Sequence, residues 1–178
     1  MVVMEEFRDG VFTIMLNRPE KRNAMDLEVL TAFCQALRNA QEKKAPVVIV
    51  RGSGKTFSAG GDLGEITRSP GRIDSMADAL HRGIKLIRKM EAIVIAVVEG
   101  LAAGAGVGLA LASDLSVAET GAIMNVGYRK IGLTPEGGNS FFLPRMAGVK
   151  KFNELYLLSR NVDMKEALDL GLVNYVWD

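Results

Sequence analysis

The sequence predicts an α/β fold. Three observations carry that prediction. Apolar runs of strand length, "PVVIVRG", "AIVIAVVEG" and "DLSVAE", recur along the chain. Stretches with apolar residues three and four apart alternate with them. Glycines and acidic caps punctuate the junctions between the two patterns. With 178 residues, 48% hydrophobic and 24% charged, the chain reads as one folded domain over 1–178 with a sizeable core.

The elements follow in order. "VVMEEFR" and "VFTIMLN" flank Asp9-Gly10, a two-residue hairpin turn. "RPEKRNA" is a polar loop. Residues 26–42 make an amphipathic helix, with Asp26 as N-cap and Leu27, Leu30, Phe33 and Leu37 on one face. "PVVIVRG" is a buried strand that runs into the glycine-rich loop "GSGKTFSAGGDLGE". Residues 68–74, "RSPGRID", are expected as a mobile surface loop. A second helix places Met76, Leu80, Ile84 and Ile87 on its inner face. The run 92–112 is long and apolar, but Glu99 and its glycines divide it into a strand, a turn and a small-residue helix from about Gly104, and not a membrane span. "DLSVAE" is a strand. Residues 136–159 read as helical with a break near Pro144 and Gly148. Asp163 and Glu166 open another helix, which stops at Gly171, and "LVNYV" is the last strand. No convincing internal repeat is visible.

Several function classes fall away. Lys plus Arg is 22 and Asp plus Glu is 21, with no basic–aromatic stripe, so nucleic acid is not an expected partner. The lone Cys34 cannot form an internal disulfide, and a reduced cytoplasmic setting fits. "MVVMEEFRDG" has no run of signal-peptide length. "GSGKT" ends like a phosphate-binding loop, but the required first glycine falls on Ile49. "GAGVG" fails as a dinucleotide fingerprint because its third glycine falls on Leu109. His81, the only histidine, has no Cys or His at ligand spacing and reads as a surface or core residue; no metal is expected.

Two loops and one acid carry the chemistry that remains. Ser58-Ala59-Gly60-Gly61-Asp62 and Ala103-Gly104-Ala105-Gly106 each follow a β-rich apolar run. Small residues there let a ligand approach the backbone, and one N–H from each loop would make an oxyanion hole. The alternative is a pair of tight turns that simply pack closely. Glu136 is the one acid in "GLTPEGGNSFF". Proline with an acid behind it is a common helix start; the same carboxylate could be the base of an active site.

These pieces resemble the crotonase superfamily, the enoyl-CoA hydratase/isomerase group. The matching motifs are "LNRPEKRNAM", "FSAGGDL", "VEGLAAGAGVGLALASDL", "IGLTPEGGNSFFLPRMAG" and "EALDLGLVNYV", in the family's order and over essentially the whole chain. The resemblance implies a spiral of ββα units, a coenzyme A thioester as ligand, and homotrimers or dimers of trimers. It implies an oxyanion hole from the N–H groups of Ala59 and Ala105. The two glutamates of the hydratases would fall on Gly108 and Tyr128, so hydration by the usual mechanism is not expected. The Δ3,Δ2-enoyl-CoA isomerases place one acid after the proline of this motif, which makes Glu136 the single acid/base here. No metal or redox cofactor is implied. Phe141, Phe142 and Leu143 would desolvate Glu136 and raise its pKa. Arg18, Lys21 and Arg22 would meet the CoA phosphates, or form a solvated basic loop. Ala24, Ser58, Gly60, Gly61, Leu63, Gly104, Gly106 and Pro135 would stand around the substrate. Asp62 would cap a short helix, with Glu65 three residues on, or touch substrate. Tyr128 would line the acyl pocket or donate a hydrogen bond where a hydratase has its acid.

Family members generally continue into a C-terminal helical segment; the sequence stops at Asp178, right after "GLVNYVW", so that segment is expected either to be absent or to lie beyond this stretch. The leading expectation is 3-enoyl-CoA to 2-enoyl-CoA isomerisation. The alternatives are isomerisation of a cyclic acyl-CoA, another crotonase reaction such as hydration, decarboxylation or thioester hydrolysis, and a CoA-ester-binding or assembly protein without turnover.

Overall fold

A computed structural model describes residues 1–178. The chain opens with the hairpin β1 (Val3–Arg8) and β2 (Val11–Leu16), joined where Asp9 and Gly10 both take positive φ, at 50° and 82°. That is the turn whose twist matches an antiparallel pair. Helix α1 (Leu27–Glu42) starts where the Asp26 carboxylate accepts the Val29 N–H at 2.9 Å. Strand β3 (Val47–Gly52) follows, then α2 (Leu63–Arg68), α3 (Ile73–Lys89) and β4 (Ile93–Val98). A short β5 (Leu101–Ala103) leads into α4 (Ala105–Ala112). Next come β6 (Leu115–Glu119), β7 (Ile123–Asn125), α5 (Asn139–Met146), α6 (Val149–Leu158), β8 (Val162–Asp163), α7 (Met164–Asp169) and β9 (Tyr175–Trp177).

Two sheets organise these elements. The larger has the order β1-β2-β3-β4-β6-β9; only β1 runs antiparallel to its neighbour. The smaller has the order β5-β7-β8 and is extended by single-pair bridges, Ser58 to Ala102 and Met25 to Gly61. Each turn of the chain therefore lays a strand in the large sheet, touches the small sheet with two or three residues, and returns through a helix. This is the expected ββα spiral. Its second strands are so short that apolar periodicity never registers them, and β5, β7 and β8 do not stand out in the sequence.

The segment 68–74 is not a loop. Arg68 ends α2, and Pro70–Arg72 forms a single 3₁₀ turn that feeds α3. Proline pre-sets φ for a helical first turn, which a count of Pro and Gly misses. The inner face of α3 is as expected, with Met76, Leu80, Ile84 and Ile87 buried. Residues 136–159 differ as well. Helix α5 starts at Asn139, three residues after Glu136, and runs through Pro144. The carbonyl that loses its partner to Pro144 belongs to Ser140, an exposed residue. The break is at Gly148 alone, with φ 82°. Asp163 caps α7 through the Glu166 N–H at 2.8 Å, as the spacing predicts. The run 92–112 is β4, β5 and the wholly buried α4, and no helix is long and apolar enough to cross a membrane.

Candidate active site

The loop after β3 is fixed from two sides. Met25 N–H donates to the Gly60 carbonyl at 2.7 Å, and Asp62 N–H donates to the Met25 carbonyl at 2.9 Å. In such a parallel bridge the intervening residue turns its own N–H and C=O away from the partner. That residue is Gly61, and its N–H has no hydrogen-bond partner. Ala59 differs: its N–H donates to the Arg22 carbonyl at 2.9 Å. The expectation that Ala59 supplies an oxyanion donor is therefore corrected. Its amide is committed within the fold, and the free amide of this loop is two residues on.

The second loop opens α4 at Ala105. The first amides of a helix have no intrahelical acceptor, so the Ala105 N–H is free with the positive end of the helix behind it. Gly60 and Gly106 serve the packing of the two loops more than ligand approach. A Cβ on Gly60 would meet the Ala103 carbonyl oxygen at 2.7 Å, and one on Gly106 would meet the Ser58 carbonyl oxygen at 2.7 Å. Ser58 is fully buried, its hydroxyl donating to the Asn23 carbonyl and accepting from Gly60 N–H.

Glu136 stands on the third segment. Gly137 and Gly138 both have positive φ, 60° and 81°, and close a tight turn in which Asn139 N–H donates to the Glu136 carbonyl at 3.1 Å. Tyr128 Oη and Asn139 Nδ2 donate to the same carbonyl, at 3.1 and 2.9 Å. The carboxylate itself makes no hydrogen bond and no ion pair. It lines two adjoining cavities of about 190 and 130 Å³. Gly61, Ile66, Ala105 and Leu133 line both as well. Burial raises the Glu136 carboxyl above the ordinary carboxylate value, and the charge of nearby His81 pulls it part of the way back. His81 itself is exposed, as its sequence context allowed, and lines neither cavity.

The groups that bury Glu136 are not the expected ones. Phe141 is exposed, and Phe141, Phe142 and Leu143 line neither cavity. The apolar side chains that share the larger cavity with Glu136 include Ile66, Leu80 and Leu133. Leu63, Gly104 and Tyr128 line the smaller cavity; Ala24, Ser58, Gly60, Gly106 and Pro135 line neither. Tyr128 is held well above the ordinary phenol range, first by burial and then by the Glu136 charge, so it stays a neutral donor.

The basic loop divides. Arg18 is buried, with Nη1 2.7 Å from Asp26 and Nη2 3.1 Å from Asp62, and it also donates to the Ala24 carbonyl. It is a structural cation and not a phosphate ligand: its charge is consumed by two carboxylates. Lys21 Nζ lies 3.2 Å from Asp62. Only Arg22 is exposed without an ion-pair partner. Asp62 caps α2 through the Glu65 N–H at 3.2 Å. Burial opposes its ionisation, but the bonds from Lys21, Glu65 and Arg18 outweigh it and hold its carboxyl below the ordinary range. Asn23 and Asn139, both fully buried and hydrogen-bonded, escaped sequence reasoning. The signal for Asn139 was a single side-chain amide set between the two glycines and the two phenylalanines of "EGGNSFF".

Comparison with known proteins decides the family. A model of the enoyl-CoA hydratase/isomerase family matches residues 6–177. The chain belongs to the enoyl-CoA hydratase/isomerase family. Among family relatives, a 4-chlorobenzoyl coenzyme A dehalogenase of Arthrobacter is 34% identical over 97% of this chain and 64% of its own length. The 1,2-epoxyphenylacetyl-CoA isomerase of Escherichia coli is 30% identical over 99% of this chain and 70% of its own. The crystal structure of an enoyl-CoA hydratase from Thermoplasma volcanium superposes with a TM-score of 0.95 at 32% identity, covering all of this chain and 72% of that one. The chain thus spans about two thirds of the length of the curated relatives it matches, 66% for YhaR of Bacillus subtilis.

Within the enoyl-CoA hydratase/isomerase family, position 108 now has a physical reading. A Cβ on Gly108 would lie 1.9 Å from the Gly137 carbonyl oxygen. The turn that presents Glu136 occupies the space in which any side chain at 108 would stand.

Proposed function

We propose that this chain isomerises a 3-enoyl-CoA to the conjugated 2-enoyl-CoA, with Glu136 as the single acid/base. The observation that carries this reading is an unpaired, half-buried carboxylate shared by two apolar cavities, with the free amides of Gly61 and Ala105 on the same walls. An acid kept out of every ion pair and hydrogen bond in a folded protein is available to a ligand. The thioester carbonyl oxygen accepts from the Gly61 and Ala105 N–H groups. Glu136 takes the proton from C2, and the electron pair of that C–H bond moves toward the thioester oxygen. The same carboxyl then delivers the proton to C4 as the C3=C4 double bond shifts to C2=C3. Each amide donor is worth about 3–4 kcal/mol in the transition state. Arg22 is the cation of the basic loop left for a CoA phosphate. Hydration is disfavoured because Tyr128 is held neutral and position 108 has no room for an acid. Assembly as a homotrimer or a dimer of trimers belongs to the same proposal.

A second reading, isomerisation of a ring-bearing acyl-CoA by the same residues, draws on two observations. The larger cavity, about 190 Å³, is of the size that holds a single ring, since an apolar cavity of about 150 Å³ holds benzene. Two relatives are named for chlorobenzoyl and epoxyphenylacetyl thioesters.

The test compares products. The protein is mixed with 3-enoyl-CoA and the conjugated thioester is followed, with 2-enoyl-CoA hydration run alongside. The account expects 2-enoyl-CoA from the first mixture and no 3-hydroxyacyl-CoA from the second. Hydration at a rate matching or exceeding isomerisation contradicts it. CoA-ester binding without either product contradicts the linear-substrate reading, and a ring-bearing thioester then separates the second reading from a binding protein.

A further inference from the structure

We propose that Asn139 is the positioning residue of this site: its side-chain amide ties the base-bearing turn to the oxyanion helix and fixes their separation. The inference rests on the reading above, in which Glu136 and the Ala105 amide act on one substrate.

The geometry centres on one nitrogen. Asn139 Nδ2 donates to the Gly104 carbonyl at 3.0 Å, to the Glu136 carbonyl at 2.9 Å and to Tyr128 Oη at 3.1 Å. Gly104 is the residue immediately before the Ala105 amide, and Glu136 is the base. Both carbonyls are acceptors only, so the nitrogen must face them and the assignment of the amide atoms is determined. Two hydrogens serve three acceptors, so one is shared. Tyr128 closes the triangle by donating its own O–H to the Glu136 carbonyl. The side chain of Asn139 is the direct hydrogen-bonded link between the start of α4 and the Glu136 turn.

The cost of this link argues that it has a purpose beyond folding. Asn139 is 0% exposed, and its Oδ1 has no hydrogen-bond partner. A buried acceptor left without a donor destabilises the folded state. A residue kept only for packing would be better served by an apolar side chain of the same size. Local rules of stability are most often broken at functional sites. In proton transfer, the distance from base to carbon and from donor to oxygen must both hold during one turnover. Here one amide sets the first relative to the second.

The test uses Asn139→Leu, which keeps the branched shape, though not the size, and removes both the donor and the orphan acceptor, beside Tyr128→Phe, which leaves the Asn139 bonds to Gly104 and Glu136. Asn139→Leu is expected to keep a cooperative thermal melt and the KM for the thioester while kcat falls by roughly 10–100-fold, the scale for about 1 Å of misplacement. The fraction of C2 hydrogen carried to C4, measured in D₂O, should fall as well, because a loosened base exchanges with solvent. Tyr128→Phe should lose less on both counts. A separate readout needs no turnover: ¹³C NMR titration of the Glu136 carboxyl, identified by its absence in Glu136→Gln. Its raised pKa should drop toward the ordinary value in Asn139→Leu. If the wild type does not isomerise, the reaction reading fails while this titration still decides the positioning role. A folded Asn139→Leu with unchanged kcat, transfer fraction and Glu136 titration overturns the proposal, and so, where the wild type is inactive, does a folded Asn139→Leu whose Glu136 titrates as in the wild type.

Discussion

Glu136→Gln lowers kcat for 3-enoyl-CoA isomerisation by about 10²–10⁴-fold, the range that a positioned acid/base contributes. The size of the effect follows from the solitude of the residue. Asp74 is the other carboxylate on the larger cavity, but it is exposed, and the smaller cavity has none besides Glu136. Tyr128 cannot substitute, since burial and the Glu136 charge hold its proton. Glutamine has the same shape and keeps the turn, whose bonds fall on the backbone carbonyl and not on the carboxylate. The loss should therefore sit in kcat, with KM and the thermal melt close to wild type. Steady-state kinetics across thioester concentrations check this. A variant that loses KM alone would place Glu136 among binding groups.

Arg18→Met destabilises the fold by about 3–5 kcal/mol, the cost of stripping one partner from a buried ion pair. The Arg18 side chain is 10% exposed, and those of Asp26 and Asp62 are 14% and 8% exposed. Methionine fills the space and leaves two carboxylates facing each other with only Lys21 nearby. Asp62 also follows Gly61 in the chain, so the damage should extend to the oxyanion loop. Chemical denaturation of the two proteins measures the difference in midpoint at constant slope. A shift under about 1 kcal/mol would mean that Arg18 is a solvated, surface-type cation.

How far the sequence carries can be traced residue by residue. Period-two and period-3.6 patterns located β2, β3, β4, β6, α1 and α3 because each spans enough residues to repeat. They could not reveal the small sheet, whose strands are two or three residues long and rest on partners far along the chain. The Gly-rich loops were visible, but the donor was misplaced by two residues. Which amide of "SAGGD" is free depends on the bridge between Met25 and Gly61, a contact across 36 positions that no local motif encodes. Arg18 was expected either at a CoA phosphate or in a solvated basic loop, and it is in neither place, because local charge was visible and its distant partner Asp62 was not. The Glu136 prediction rested on the motif around it; the apolar residues that share its cavity, Ile66 and Leu80 among them, come from other helices. "EGG" looked like a helix start, and the structure makes it the tight turn that holds the carboxylate ahead of α5.

The most direct measurement of the central claim is the pH dependence of kcat/KM in the wild type with 3-enoyl-CoA, since that ratio reports the ionisation of the free enzyme's base. Glu136 must be ionised to accept the C2 proton, so activity is present above its pKa and is lost as pH falls through it. Because burial raises that pKa, the acid limb should lie above the value of an ordinary glutamate, about 4.3. It should also be absent from the residual rate of Glu136→Gln. A limb at or below the ordinary value, or the same limb persisting in Glu136→Gln, would contradict the account and assign the proton transfer to another group.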